Sequence, residues 1–217
     1  MVKGMNTAII VQARIGSTRL PKKILLPWNG KTVLGEVLER CMSTGIKTIL
    51  AVPYEDIGLA LFHEPTFVGS SLDVLDRYYN TALYFNIQTI IRITADCPFV
   101  NPDMIRDMIE QYEGDEYYSN CHPVRVVSRG YDVEIFPFKY LKKAWNEAKD
   151  TYHREHVTSY MYRNVGIFRC RTYEPRIKVI NDGYNYSIDT IEDYRRLKRL
   201  VDRKNTIKMG VCYGTAY

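Results

Sequence analysis

Between Gln12 and Lys23 the chain reads Gln-Ala-Arg-Ile-Gly-Ser-Thr-Arg-Leu-Pro-Lys-Lys, directly after the apolar run Thr7–Val11. Arg14, Arg19, Lys22 and Lys23 put two arginines and two lysines within ten residues. Guanidinium and ammonium groups give charge-assisted hydrogen bonds to phosphate oxygens. A Gly/Ser/Thr turn such as Gly16-Ser17-Thr18 lets backbone N–H groups face an anion. Together they suit the stabilisation of charge on a transferring phosphoryl group. The stretch is neither a Walker A loop nor a dinucleotide fingerprint, because Gly-x-x-x-x-Gly-Lys-Ser/Thr and Gly-x-Gly-x-x-Gly are both absent. From these residues alone two readings stay open, a phosphate-handling loop and a basic surface loop.

Two aspartates distant in sequence could add a metal. Asp96 lies in Arg-Ile-Thr-Ala-Asp-Cys-Pro, where Asn101 is the better cap for the following helix and leaves Asp96 without a structural task. Asp189 lies in Tyr-Ser-Ile-Asp-Thr-Ile-Glu-Asp, where it either caps the next helix or is freed by a cap built from Thr190 and Asp193. Mg²⁺ takes one or two carboxylates with phosphate oxygens and water, so the pair would suit it if the fold joins them. His153 and His156 match neither the His-Glu-x-x-His nor the His-x-x-Glu-His spacing, which leaves a buried, hydrogen-bonded histidine as the plain alternative at His156. Five scattered cysteines, without Cys-x-x-Cys, argue against a disulfide framework or a structural zinc and for reduced thiols.

The elements that must position these groups alternate. Thr7–Val11, Lys47–Val52 and Gln88–Ile93 read as buried strands. Thr32–Met42, with Gly45 beyond it, Asp73–Phe85, and a segment opening at Asn101-Pro102 read as helices. That order predicts a mostly parallel sheet flanked by helices, with the loop at 12–23 on the carboxyl edge where such sheets bind ligands. In the second half, strands are expected at Asp132–Phe136, Arg176–Ile180 and Tyr184–Ile188. Helices are expected at Tyr140–Ala148, Glu155–Tyr162 and Ile191–Val201. Residues 204–217 show no clear period and no evident role.

The chain's 217 residues suit one domain, 1–217, with a core near 6–203. Its composition, 46% hydrophobic and 25% charged, is that of a soluble globular protein, and no run approaches the roughly 18 apolar residues of a membrane span. The start, Met-Val-Lys-Gly-Met-Asn, lacks the apolar region of a secretory signal, so a cytoplasmic location is expected. The net charge of +5 is mild, and Arg195–Arg199 reads as a solvated helix face rather than a nucleic-acid module.

The loop resembles the signature of cytidylyltransferases of spore-coat polysaccharide biosynthesis and of CMP-sugar-acid synthetases such as the 3-deoxy-manno-octulosonate cytidylyltransferases. That signature reads roughly Gln-Ala-Arg-x-Gly-Ser-Thr-Arg-Leu-Pro-Gly-Lys. Gln12, Ala13, Arg14, Gly16, Ser17, Thr18, Arg19, Leu20, Pro21 and Lys23 match it, and Lys22 stands where the family has glycine. If that position needs a positive φ, Lys22 is strained.

The segments around Gly69-Ser70, Asp96, Gly130–Glu134, Arg154–Thr158 and Asp189 resemble further family motifs in the same order. Cys97 stands where sugar-acid synthetases carry another acid, and the stretch from Val52 to Phe67 looks short, implying a trimmed helix or strand. The resemblance implies a three-layer Rossmann-like fold of the nucleotide-diphospho-sugar transferase type. It implies CTP as donor, Mg²⁺ as cofactor, and a sugar or sugar acid as acceptor in surface-glycan biosynthesis. Family members often pair through their second half, so a homodimer is one expectation; nucleic acid and membrane are not expected partners.

By the same resemblance, Arg14 and Lys23 are the catalytic cations. Gln12, Ala13, Gly16, Ser17, Arg19, Gly69 and Ser70 hold the nucleotide, Asp96 and Asp189 the metal, and Asp132, Glu134 and His156 face the acceptor. At Gly69-Ser70 a loop with Ser71 capping the next helix is the equal alternative. For the whole chain the alternatives are a glycosyltransferase of similar fold, against which the absent Asp-x-Asp speaks, and a non-catalytic nucleotide- or sugar-binding protein.

Overall fold

The computed structural model describes residues 6–212, with side chains described through 203; the N-terminal stretch before Asn6 and the last five residues of the tail lie outside it. Strand β1 (Thr7–Gln12) sets the architecture. Its side chains alternate between two faces. Ile9 and Val11 enter one core and Ala8 and Ile10 the other, all fully buried. A strand apolar on both faces must be covered on both, which is why three layers form.

After β1 come a two-strand hairpin, β2 (Pro27–Trp28) and β3 (Lys31–Thr32), then helix α1 (Val33–Met42). Strands β4 (Lys47–Pro53) and β5 (Thr66–Gly69) precede helix α2 (Val74–Tyr84). Strand β6 (Thr89–Thr94) leads to helix α3 (Pro102–Gln111), and β7 (Tyr117–Ser119) and β8 (Glu134–Pro137) to helix α4 (Phe138–Glu147). Helices α5 (Thr151–Glu155) and α6 (Ser159–Arg163), strand β9 (Cys170–Thr172) and helix α7 (Ile191–Cys212) close the chain.

The central sheet has seven strands in the order β5-β4-β1-β6-β8-β7-β9. β4, β1 and β6 pair in parallel, as do β5 with β4 and β9 with β7, while β8 runs against both its neighbours. Helices α1 and α3 cover one face through Leu34, Val37, Leu38, Met104, Ile105 and Met108. Helices α2, α4 and α6 cover the other through Leu75, Tyr78, Ala82, Leu141, Ala144 and Met161. Among the described residues no helix is long and apolar enough to cross a membrane.

The helix starts follow local chemistry. Thr32 accepts from Gly35 N at 3.0 Å, and Asn101 accepts from Asp103 N at 2.9 Å with Pro102 in the first helical turn. Helix α2 is capped by Asp73, which accepts from Asp76 N at 2.8 Å, and not by Ser71. Asp73 sits three residues before Asp76, the spacing that its carboxylate needs to reach an orphan N–H.

Four second-half expectations change. Glu155–Tyr162 is not one helix but α5 and α6, divided at Val157, whose φ is 44°. A β-branched residue in that region cannot continue a helix. Arg176–Ile180 and Tyr184–Ile188 are irregular rather than strands. They pair with loops instead: Ser128 N bonds Ile180 O at 2.8 Å, Tyr186 N bonds Arg129 O at 2.7 Å, and Ile188 N bonds Asp96 O at 2.9 Å. The last helix runs past Val201 into the tail. The segment after Val52 holds a 3-10 helix (Tyr54–Phe62) and the edge strand β5.

Two backbone positions carry predictions. Gly130 has φ +92°, and a Cβ there would lie 2.3 Å from the carbonyl carbon of Tyr186. Gly130→Ala is expected to cost at least about 2 kcal/mol, from backbone strain and overlap together, read as a shift in denaturation midpoint; a loss under 0.5 kcal/mol on the same scale of surface changes would contradict this packing. Lys22 has φ 60° and ψ 20°, the left-handed region, as its departure from glycine suggests. Relief of strain and added chain entropy roughly offset for Lys22→Gly, so stability should hold or rise by up to about 1 kcal/mol. A clear loss of stability would show that the lysine side chain itself anchors the turn.

Candidate active site

The carboxyl ends of β1 and β6 open on a cavity of about 220 Å³, lined among others by Gln12, Arg14, Arg19, Lys23, Asp96 and Asp189. Its loop is folded tightly on itself. Ser17 N and Lys22 N both donate to Ile15 O, at 2.8 and 3.1 Å. From outside, the Asp56 carboxylate accepts from Ile15 N at 2.7 Å and ties the loop to the 3-10 helix. The left-handed turn at Lys22 then swings Lys23 inward while Lys22 stays exposed.

Lys23 Nζ lies 2.6 Å from Asp96 Oδ2 and 3.1 Å from Asp189 Oδ1. Burial alone would pull this ammonium down, but the two carboxylates overcome it and hold it above its ordinary value. Burial likewise would raise the Asp96 carboxyl, and Lys23 and Thr94 hold it below its ordinary value. Arg19 reaches Asp189 Oδ1 at 2.9 Å from the solvent side. Asp189 is not the helix cap. Asp193 Oδ2 accepts from Thr190 N at 3.1 Å, and Thr190 Oγ1 accepts from Asp193 N at 3.2 Å, a reciprocal cap that leaves Asp189 free.

The rest of the wall is cationic and under-satisfied. Arg14 is half-exposed and 3.5 Å from Glu155. Arg77 is buried at the base, donating to Ser70 O at 2.5 Å, and burial, with the nearby Arg14 charge, depresses its guanidinium. Gln12 Oε1, Arg77 Nε and Arg92 Nε are the buried side-chain polar atoms without a partner among the described residues, and all three belong to residues lining this cavity. Buried polar atoms left unpaired are costly, so their concentration in one cavity points to a polar occupant.

A second cavity of about 210 Å³ adjoins the first and shares Arg92, Thr94 and His156 with it. It holds Asp132 and Glu134. Glu134 is ion-paired with Arg92 and accepts from the Tyr117 hydroxyl at 2.9 Å. Asp132 takes both arms of Arg125, at 2.5 and 3.1 Å. His156 is exposed on the rim, packed on the Tyr152 ring 4.4 Å away, rather than buried.

Of the residues singled out from sequence, Gln12, Ala13, Arg14, Ser17, Arg19, Lys23, Asp96, Asp189 and His156 line the first cavity. Gly16 does not line it; it lies within the loop turn, with nothing within 4 Å of a Cβ built on it. Gly69 and Ser70 line a neighbouring open groove with Tyr54 and Tyr84, and reach the cavity through Arg77. Reading the sequence missed Arg77, Arg92 and Asp56 as site residues. A lone arginine on the apolar face of a helix or inside an apolar strand was a readable signal for the first two. Nothing in sequence linked Asp56 to a loop 41 positions away.

The metal question rests on the donor set. Among the described residues no group of three His, Cys, Asp or Glu side chains gathers as a metal centre. Burial, with Asp96 and Asp132 beside it, holds the Cys97 thiol well above its ordinary range, so it adds no third anion. The paired carboxylates of Asp96 and Asp189 nevertheless already hold one cation, the Lys23 ammonium, between them. Two hard oxygen donors around a cation position fit a Mg²⁺ completed by phosphate oxygens and water.

Comparison with known proteins agrees with this geometry. The family model described as cytidylyltransferase matches residues 8–213. An uncharacterized protein of Methanocaldococcus jannaschii is 34% identical over 210 residues, covering 93% of this chain and 86% of that one. A spore coat polysaccharide biosynthesis protein of Bacillus subtilis is 27% identical, covering 89% and 85%. The solved structure of a cytidylyltransferase from Leptospira borgpetersenii superposes with a TM-score of 0.82 at 32% identity, covering 98% of this chain and 99% of that one. A cation-lined cavity at the carboxyl edge of a mostly parallel sheet and a match along nearly the whole chain lead to one conclusion: this protein belongs to the cytidylyltransferase family, enzymes that use CTP as nucleotidyl donor.

Proposed function

We propose that the protein transfers CMP from CTP to a hydroxyl of a sugar or sugar acid, releasing pyrophosphate, in the cytoplasmic assembly of surface glycans, with residues 6–203 as the catalytic unit. The observation that carries this reading is the first cavity, where the five cationic side chains of Arg14, Arg19, Lys23, Arg77 and Arg92 and three unpartnered buried polar atoms accompany the paired carboxylates of Asp96 and Asp189. A triphosphate supplies the missing anion and the acceptors for Arg77 Nε and Arg92 Nε, while Gln12 Oε1, an acceptor, takes a donor group of the nucleoside.

In this reading Arg14, Arg19 and Lys23 hold the phosphates. Backbone and side-chain groups of Gln12, Ala13 and Ser17 line their path, and Gly16 shapes the turn that carries them. Arg77, anchored on Ser70 beside Gly69, orients the nucleoside end. The acceptor enters over Asp132, Glu134 and His156, and its oxygen attacks the α-phosphorus as the bond to the β-phosphate oxygen breaks. Asp96 and Asp189 would hold Mg²⁺, which lowers the charge barrier between triphosphate and incoming oxygen. Lys23 neutralises the same two carboxylates, and its ammonium would face phosphate oxygens at the same position. A glycosyltransferase reading finds less support, because the residue after Asp96 is a buried, protonated cysteine rather than part of an Asp-x-Asp.

Two outcomes are expected. CTP should raise the melting temperature more than ATP or GTP at equal concentration, since saturating ligand at about 100 times its Kd adds about 2.7 kcal/mol to the native state; equal shifts would remove the cytidylyl assignment. Asp189→Asn should cut turnover by about 10²-fold or more, partly restored by high Mg²⁺. Its melting temperature should stay close to that of the parent, because Thr190 and Asp193 make the cap without it. Normal turnover across a Mg²⁺ titration would exclude Asp189 from the metal site.

A further inference from the structure

We propose that Asp56 is a positioning residue for the nucleotide donor: its carboxylate holds the turn that presents Arg14, Arg19 and Lys23 to phosphate, and Glu55 beside it ties the same segment to the nucleoside loop at 69–73. This deepens the cytidylyl-transfer reading and rests on it.

The sheet brings Asp56 to this place. Strands β1 and β4 pair in parallel, and the pairing runs one residue past β1, with Ala13 N donating to Ala51 O at 3.1 Å. The chain leaving β4 therefore emerges beside the loop leaving β1. There it winds into the 3-10 helix Tyr54–Phe62, which is broken at Asp56, where φ is −106° and ψ 23°. This sparsely populated conformation recurs at active sites. Asp56 is 8% exposed, whereas Tyr54 and Glu55 before it lie in solvent.

The partner of Asp56 is the hub of the loop. Ile15 O takes both Ser17 N and Lys22 N and closes the turn. Ile15 N donates to Asp56 Oδ2 at 2.7 Å. A charged acceptor on a backbone N–H makes one of the stronger protein hydrogen bonds. Lys22 is the left-handed residue that sets Lys23 between Asp96 and Asp189, so Ile15 lies on the path by which Lys23 is placed.

Glu55 makes the second tie. Its carboxylate accepts from the Ser71 hydroxyl, while Ser70 O accepts from the buried Arg77 at 2.5 Å. Two consecutive residues thus hold both loops of the donor site. Burial depresses the Arg77 guanidinium, and the charges of Glu55 and Asp56 act against that.

Asp56 could act as a hydrogen-bond acceptor or as a charge, and the two roles predict opposite results. A carboxylate beside a triphosphate site repels its ligand. The bond to Ile15 N offsets that cost by keeping the turn formed. Where the turn is released, only the fraction of molecules that still holds it binds, and the apparent affinity falls by that fraction.

The test measures binding of tripolyphosphate and of CTP to the full-length protein by calorimetry, in one Mg²⁺ buffer, with melting temperatures in parallel. Asp56→Ala should weaken both ligands about tenfold, the loss expected when the formed turn drops to roughly a tenth of the molecules. Asp56→Asn keeps an acceptor oxygen without the charge and should recover most of that loss. Asp56→Glu keeps the charge but displaces the oxygen by a methylene, and should bind more weakly than Asp56→Asn. That order decides the question even if Asp56→Ala does not fold. Glu55→Ala should weaken CTP about threefold, as loss of an exposed hydrogen bond does, and leave tripolyphosphate within about twofold of wild type. Wild-type affinity in Asp56→Ala, Asp56→Glu binding as well as or better than Asp56→Asn, or no tripolyphosphate binding by wild type overturns the inference. Equal weakening of both ligands by Glu55→Ala overturns the second tie. Tripolyphosphate binding without preference for CTP over ATP and GTP defeats the cytidylyl reading instead, and leaves the Asp56 comparison standing.

Discussion

One ammonium group ties the site together. Lys23 Nζ sits between carboxylates that come from the end of β6 and from the segment entering α7. Without it, two half-buried anions would face each other in a cleft of low dielectric, an arrangement that raises one carboxyl's pKa or drives the segments apart. With it, burial is offset from both sides, and the three chain segments that build the edge have an electrostatic reason to meet. The backbone bond from Ile188 N to Asp96 O fixes the same meeting by a separate interaction. The position of Lys23 depends in turn on a left-handed turn at Lys22 and on the Asp56 carboxylate that pins Ile15. A basic stretch becomes an organised loop through contacts that its own residues do not contain.

The sheet divides the charges between two chambers. The parallel strands β4, β1 and β6 end on the cation-rich side, as their shared direction requires. Strand β8 runs against its neighbours, and its register sets Glu134 opposite Arg92. Cross-strand partners are close enough to pair directly, so an arginine at the end of the parallel block is neutralised by the first residue of the reversed strand. On one side of Arg92 the cations are only partly committed; on the other, each is matched by a carboxylate. The same guanidinium contributes to both walls, and its unpaired Nε lies where the two environments join.

The core explains how a site so rich in charge is tolerated. Both faces of β1 are covered, and each flanking layer is built from aliphatic side chains at helical spacing. The polar groups gather at one edge, where strands end and the backbone must leave the sheet in any case. Open α/β sheets place ligand sites at that edge for this reason.

The sequence by itself determined the elements with strong periodicity and local caps: β1, β4, β6, and helices α1, α2 and α3, whose Thr32 and Asn101 caps act through neighbours two or three residues away. It also marked the loop at 12–23 and the two aspartates, because unusual residue types clustered in short motifs, and it flagged Lys22 as a glycine position, which its φ of 60° explains. It failed where pairing is long-range. Arg176–Ile180 and Tyr184–Ile188 have strand-like composition, yet they bond to loops around Ser128 and Arg129 and form no ladder. The break between α5 and α6 at Val157 follows from tertiary packing that overrides a helical pattern. Which charges are committed and which are not was likewise decided only by the tertiary structure. An arginine reads the same in sequence whether it faces Glu134 across a strand or lies half-exposed beside a cavity, because its partner is chosen by register and chain crossing and not by spacing.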